Sequence, residues 1–90
     1  MHKILERRQF SESVFYMKVS APFIAKSRKA GQFVIVQLDE DVGERVPLTI
    51  ADASAEEGWI ALVVQIVGAT TFKMSKMQEG EEIPVVLGPL

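Results

Sequence analysis

Apolar residues alternate with polar ones in the first half of this sequence, and turn residues separate the apolar segments throughout. A period of two is typical of β-strands with one buried face, and β-branched and aromatic residues favour strands. Six segments carry this pattern, at residues 4–10, 14–19, 33–38, 45–51, 59–67 and 82–87. The pattern therefore predicts six strands joined by short turns.

The period changes after Gly68, where Thr70 or Thr71 can cap a short helix that ends near Gly80. Residues 23–30 are polar and basic, and we expect them to form a connection without regular structure. An antiparallel barrel would remove the exposed edges that a small open sheet leaves. The fold expected is therefore an all-β, closed or nearly closed antiparallel barrel with one short helix before the last strand.

Composition restricts the partners and the location of the chain. Its 90 residues and 48% apolar fraction suit one domain with one core. A net charge of −2 provides no basic field for a phosphate polymer, so we expect no nucleic acid partner. The longest apolar run, residues 59–68, is too short to span a bilayer, and the N-terminus lacks a signal-peptide core. We expect a cytoplasmic protein without membrane insertion.

Side chains suited to catalysis are scarce. The chain has one histidine, His2 at the terminus, and no cysteine, so neither a nucleophile–base pair nor a Cys-ligated iron–sulfur cluster can be built from it. The acidic residues occur in turns, where solvated carboxylates are more common than a metal site. We predict no catalytic residue and no metal ligand, and any enzymatic chemistry must come from a bound cofactor.

Arg45-Val46-Pro47-Leu48-Thr49-Ile50 is the first segment that could hold a cofactor. An extended strand presents backbone donors and acceptors to a flat heterocycle, and a hydroxyl such as that of Thr49 could bond a ring nitrogen. The Arg45 guanidinium could neutralise a phosphate with its forked donors. The alternative is an ordinary edge strand, in which Pro47 avoids the hydrogen-bond ladder and Arg45 is a solvated turn charge.

Ile66-Val67-Gly68-Ala69-Thr70-Thr71-Phe72 is the second such segment. A strand that runs through glycine into a helix N-terminus directs free amides at one point, which could hold a pyrophosphate. The alternative is an ordinary capped helix. Both segments would offer phosphate and ring contacts, so together they indicate a nucleotide-like cofactor more strongly than either does alone.

In order along the chain, these motifs resemble the flavin domain of the ferredoxin–NADP reductase superfamily. The motifs are Gly31-Gln32-Phe33, Arg45-Val46-Pro47-Leu48-Thr49-Ile50, Val67-Gly68-Ala69-Thr70-Thr71, Gly80-Glu81 and Leu87-Gly88-Pro89-Leu90. The resemblance covers essentially the whole chain. It is closest to the branch with dihydroorotate dehydrogenase electron-transfer subunits, sulfide dehydrogenase subunits and the alpha subunit of NADH-dependent ferredoxin–NADP reductase.

The resemblance implies a six-stranded Greek-key barrel that binds FAD, with residues 1–90 forming the barrel domain of a longer protein. An NAD(P)-binding α/β domain and a [2Fe–2S] cluster would then lie beyond residue 90. The implied function is electron transfer between NAD(P)H and an iron–sulfur protein or catalytic subunit. Leu48 would lie beside the isoalloxazine and Thr49 near its N5 edge, while the loop from Gly68 to Thr71 would contact the phosphate or dimethylbenzene side.

The arginine position departs from the family pattern. In the common form the arginine stands three residues before the hydroxyl residue, and here that position is Val46. Arg45 is displaced by one, which turns its side chain to the other face of a regular strand unless a bulge intervenes.

A second hypothesis is a cofactor-free β-barrel that serves as a protein-docking module. Met74, Met77 and the apolar residues near Leu90 would then form the interface. A nucleic-acid-binding barrel would have to rely on Lys26, Arg28 and Lys29, which a solvated loop explains equally well.

Overall fold

The computed structural model describes residues 2–39 and 43–90. These residues form seven strands and two short helices. In chain order they are β1 (His2–Gln9), β2 (Val14–Ser20), α1 (Pro22–Ser27), β3 (Phe33–Gln37), β4 (Val46–Ser54), β5 (Trp59–Gln65), α2 (Ala69–Ser75), β6 (Glu82–Ile83) and β7 (Val85–Leu87).

The strands form one antiparallel sheet in the order β6-β1-β2-β5-β4-β3-β7. Strands β3, β4 and β5 are consecutive neighbours, and β2 lies beside β5, which is the Greek-key order. Strands β6 and β7 occupy the two ends of this order although only Pro84 separates them in the chain. Because this last segment pairs with β1 through β6 and with β3 through β7, it nearly closes the barrel.

The prediction of an antiparallel barrel is confirmed, but three of its details are wrong. The helix predicted from Thr70 or Thr71 to near Gly80 has Gly68 as its N-cap and ends at Ser75. Residues 82–87 form two strands rather than one, since Pro84 has no N–H to donate and the segment changes its partner there. The predicted connection at residues 23–30 contains helix α1, so two helices precede the last strand. Pro22 suits the first helical position, and Ile24 and Ala25 are buried.

The core fills the barrel with side chains from every strand and from both helices. The largest of these are fully buried: Ile4, Phe15, Met17, Val19, Val34, Val36, Ile60, Leu62, Val64, Met74 and Ile83. Burying one such side chain contributes about 1.5–3 kcal/mol. The N-terminal half of β4 and the loop before α2 have no fully buried side chain and reach the core only through the half-buried Leu48 and Ile66. Neither described helix is long and apolar enough to cross a membrane.

Candidate functional site

Strand β4 changes its pairing at Ile50. Its first residues pair with β3 alone, with Pro47 opposite Ile35 and Thr49 opposite Phe33. In the described part of the chain, pairing of β4 with β5 begins at Ile50 and does not extend to residues 46–49. A register shift between residues 50 and 52 bends the strand at the same place. The first half of β4 is therefore left with one edge that no strand covers.

The backbone alternation decides which groups line this edge. The Ile50 N–H donates to the Gln32 carbonyl at 3.0 Å. The backbone N–H and C=O groups of Leu48, two residues earlier, therefore also point towards β3. Those of Pro47 and Thr49 point the other way. Pro47 lacks an N–H and therefore forfeits no ladder bond there, while the Thr49 N–H is directed at the uncovered edge.

The side chains of this segment divide between two faces. Pro47 and Thr49 are exposed, and Leu48 is half-buried and packs against the core. Arg45 lies immediately before β4 and is also exposed, whereas Val46 is half-buried. The Arg45 Nε donates to Gln37 Oε1 at 3.0 Å, which ties the guanidinium to the end of β3. Sequence reasoning gave no sign of this bond.

The second predicted segment forms the loop between β5 and α2. Ile66 is half-buried against the core, and its N–H donates to the Ser13 carbonyl at 2.7 Å. Val67 is 75% exposed. Gly68 has an extended backbone with φ −169° and ψ −175°, a conformation that any residue can adopt. A Cβ added there would have no described heavy atom within 4 Å, so the chain itself does not require a glycine at this position.

Thr71 holds this loop together. Its Oγ1 accepts hydrogen bonds from the N–H groups of Val67 at 2.9 Å and Gly68 at 3.1 Å, and it donates to the Gly68 carbonyl at 3.2 Å. Thr71 is 4% exposed. Two lone pairs and one proton are the full capacity of a hydroxyl, so that of Thr71 is committed within the loop.

A side-chain contact joins the two predicted segments. Thr70 Oγ1 donates to Glu44 Oε1 at 2.7 Å, which brings the start of α2 against the turn before β4. At this junction lies an open pocket of about 240 Å³. Its lining residues are Leu38, Asp39, Gly43, Glu44, Ala69, Thr70 and Lys73.

The pocket combines apolar walls with a hydroxyl, carboxylates and an ammonium group, a composition suited to a polar organic ligand. Of the predicted site residues, Thr70 lines it, and Thr49 and Gly68 are not among the described lining residues. Sequence reasoning missed Leu38, Glu44 and Lys73. Lys73 follows Thr70 by three residues, a spacing that puts both on one helix face and could have indicated it.

No group of three or more His, Asp or Glu side chains in residues 2–39 and 43–90 could hold a metal ion.

Over its full length the chain is similar in sequence to curated bacterial proteins. It is 42% identical to an uncharacterized protein of Clostridium beijerinckii and 41% identical to a dihydroorotate dehydrogenase B (NAD(+)), electron transfer subunit homolog of Thermotoga maritima. Both matches cover 100% of this chain, but only 30% and 32% of those proteins. No protein-family model matches the chain.

Solved structures show the same barrel. The structure of an NADH-dependent reduced ferredoxin-NADP oxidoreductase superposes with a TM-score of 0.94 at 40% identity, covering 99% of this chain and 32% of that one. The barrel belongs to the ferredoxin–NADP reductase superfamily. A ferredoxin NADP+ reductase from Neisseria gonorrhoeae shares the fold at 19% identity, with a TM-score of 0.74 over 97% of this chain and 37% of that one.

Membership of the ferredoxin–NADP reductase superfamily confirms the resemblance inferred from the motifs. The chain spans about a third of the length of the curated relatives that it matches.

Proposed function

We propose that this chain is the FAD-binding barrel domain of an oxidoreductase that passes electrons between NAD(P)H and an iron–sulfur or ferredoxin-type partner. The observation that carries the proposal is the uncovered edge of β4 at Pro47 and Thr49, close in sequence to a pocket whose mainly apolar walls carry a few polar groups. The 40% identical structure comes from work on flavin-based electron bifurcation, and the Neisseria gonorrhoeae enzyme was solved with FAD and NADP bound.

The residues present fit a flavin nucleotide. A flat ring with polar edge atoms can bond an accessible backbone donor, which the free edge of β4 supplies at the Thr49 N–H. A ligand that approaches the backbone closely needs a position without a side chain, and Gly68 is a glycine that the chain's own packing does not demand. Polar groups for the ribityl and phosphate parts are present at Thr70 and Lys73.

In this proposal the ring lies against β4. Thr49 bonds its polar edge, and Pro47 and Leu48 contact its apolar parts. Across the site, Val67 offers an exposed apolar side chain and Gly68 allows close approach.

The remaining predicted residues act around the ring or support the site. Thr70 faces the phosphate region, Thr71 keeps the loop in shape, and Ile66 anchors the loop to the core. Arg45 lies immediately before the start of β4. When bound, FAD supplies the conversion of a hydride into single electrons. The chain's own residues bind and orient it, since the sequence holds one histidine, at position 2, and no cysteine.

The other parts of the electron path belong to other segments in this proposal. An NAD(P)-binding α/β domain follows residue 90 in a longer protein. A [2Fe–2S] cluster lies outside residues 1–90, because these contain no cysteine. Relatives named electron transfer subunits favour a catalytic subunit as the partner. In this proposal the whole protein is cytoplasmic.

The docking-module hypothesis loses one of its supports. Met74 is fully buried and Met77 is half-buried against the core, so these methionines do not form an exposed face. Leu90 is 55% exposed, as that hypothesis requires, but this alone favours no partner. The flavin proposal accounts for more of the observations.

A flavin titration tests the proposal. The purified chain is titrated with FAD and with FMN while flavin fluorescence is followed, and the titration is repeated with Thr49→Ala and Gly68→Val. We expect saturable FAD binding. Thr49→Ala keeps the backbone N–H but removes the hydroxyl that bonds the ring, so it should weaken binding by up to about tenfold, as expected for loss of one hydrogen bond. Gly68→Val should weaken it by about tenfold or more through steric overlap.

Ser11→Ala is the control, because it removes a hydroxyl from the exposed turn between β1 and β2. Urea unfolding of Gly68→Val should match that of the parent chain, since the added side chain meets open space. Absence of saturable flavin binding, or equal affinity in all variants, would contradict the proposed site.

A further inference from the structure

The pocket at the junction of the two segments carries an unusual charge arrangement. Asp39 and Glu44 contribute carboxylates, and Lys73 is the one cation among its described lining residues. Glu44 is hydrogen-bonded to Thr70, whereas the Lys73 ammonium has no hydrogen bond or ion pair with residues 2–39 or 43–90. An ammonium group at a pocket wall, unpaired although carboxylates line the same pocket, is available to a ligand.

Arg45 is placed less favourably for a ligand in this pocket. Its Nε is bonded to Gln37, and the Gln37 side-chain amide in turn donates to the Asp39 carbonyl at 2.5 Å. Gln37 is 6% exposed, so this chain of bonds holds the base of the guanidinium at the end of β3. Arg45 is not among the described residues that line the pocket.

We propose that Lys73, rather than Arg45, supplies the positive charge that neutralises a phosphate group of the bound flavin nucleotide. This inference rests on the proposed function and assigns a residue to it. Thr70 and Lys73 lie three residues apart on α2, so the hydroxyl and the ammonium share one face of the pocket. A lysine suits the task as a compact charge with three donors on a flexible stem.

The C-cap residue of the same helix provides a matched control. Lys76 is exposed, follows Lys73 by three residues and lies with its Nζ 5.1 Å from the centre of the Phe72 ring. It is not among the described lining residues of the pocket. Lysine and glutamine have similar helix propensities, so Lys73→Gln and Lys76→Gln remove one charge each with little effect on α2.

The experiment is calorimetric titration of the full chain and of Lys73→Gln, Lys76→Gln and Arg45→Gln. The probes are FAD, FMN, riboflavin and ADP, each at low and at moderate salt. For Lys73→Gln we expect about tenfold or greater loss of affinity for FAD, with a smaller salt dependence and unchanged affinity for riboflavin, which has no phosphate. Lys76→Gln should bind all four probes as the parent chain does.

Each other result decides a separate point. Flavin binding that Lys73→Gln and Lys76→Gln leave equally intact would overturn the role of Lys73 while the proposed function stands. A phosphate-selective loss in Arg45→Gln alone would overturn it in favour of Arg45. Binding of ADP that depends on Lys73, without any flavin binding, would retain the phosphate site and overturn the flavin function. Binding of neither FAD nor ADP would overturn both.

Discussion

The two halves of this barrel differ in how completely their strands are paired. Strand β2 bonds β5 along its whole length, Val14–Ser20, and bonds β1 on its other edge. The side chains that this half sends inward, such as Phe15 and Leu62, are fully buried. On the opposite side the first half of β4 has one strand neighbour.

The open side also exposes apolar side chains. Val67 is 75% exposed, Phe72 55% and Leu90 55%. Unpaired strand edges and exposed apolar groups favour association with other molecules. A small domain can keep such a surface because the fully paired half holds the fold, which leaves the open half free to bind. The two halves should therefore respond differently to mutation.

The largest expected difference is in core stability. Leu62 lies on β5 opposite both Met17 and Ile50, and we expect Leu62→Ala to lower the free energy of unfolding by about 2–5 kcal/mol. Val67→Ala truncates a mostly exposed side chain on the open side and should stay within about 0.5 kcal/mol of the parent chain. Urea unfolding followed by Trp59 fluorescence measures both. Equal losses in the two variants would show that the open side is part of the stabilising core.

A smaller effect should separate two neighbouring threonines on the open side. Thr71→Val leaves the amides of Val67 and Gly68 without their acceptor, and we expect it to lower the free energy of unfolding by about 1–2 kcal/mol. Thr70→Val removes only the surface bond to Glu44 and should cost within about 0.5 kcal/mol.

The two variants are matched, because each replaces threonine by another β-branched residue in the first turn of α2. Urea unfolding gives the stability, and proton exchange at the Val67 and Gly68 amides reports on the loop directly. If Thr70→Val were the more destabilising of the two, the loop would be held from the pocket and not by Thr71.

Local patterns predicted the strands well where one strand has constant partners. The segment at residues 14–19 differs by one residue from β2. This strand keeps the same two neighbours, β1 and β5, and its buried and half-buried side chains alternate regularly. Pro84 shows the limit, since the split of the last strand depends on a change of partner that no local pattern encodes. Helix α1 was missed because six residues are too few to show a helical period.

The site could be predicted only one segment at a time. Motifs indicated Thr49 and Gly68, but the meeting of Glu44 with Thr70 joins residues 26 apart and follows from the return of β5 beside β4. The Arg45 bond to Gln37 likewise depends on the pairing of β3 with β4. The spacing of Thr70 and Lys73 indicates a shared helix face, but the pocket that this face lines follows only from the fold.

The smallest expected effect concerns surface charge on the fully paired half. A side-chain hydrogen bond from Arg8 is the main cause that holds the pKa of the Glu6 carboxyl below its ordinary value. Lys18, at 3.4 Å, also lowers this pKa, whereas partial burial of the carboxyl opposes both effects.

Because the pKa of Glu6 is lower in the folded state, this carboxylate stabilises the fold above its ordinary pKa, and the contribution disappears as pH falls through the lowered value. Glu6→Gln should therefore melt slightly below the parent chain at about pH 6, and the two melting temperatures should converge as the pH falls through the lowered pKa of Glu6. Glu12→Gln, in the exposed turn between β1 and β2, serves as the control and should show no such convergence. A melting-temperature difference for Glu6→Gln that persisted at the lowest pH would mean that its carboxylate charge is not what stabilises this surface, and that the neutral side chain packs differently against β2.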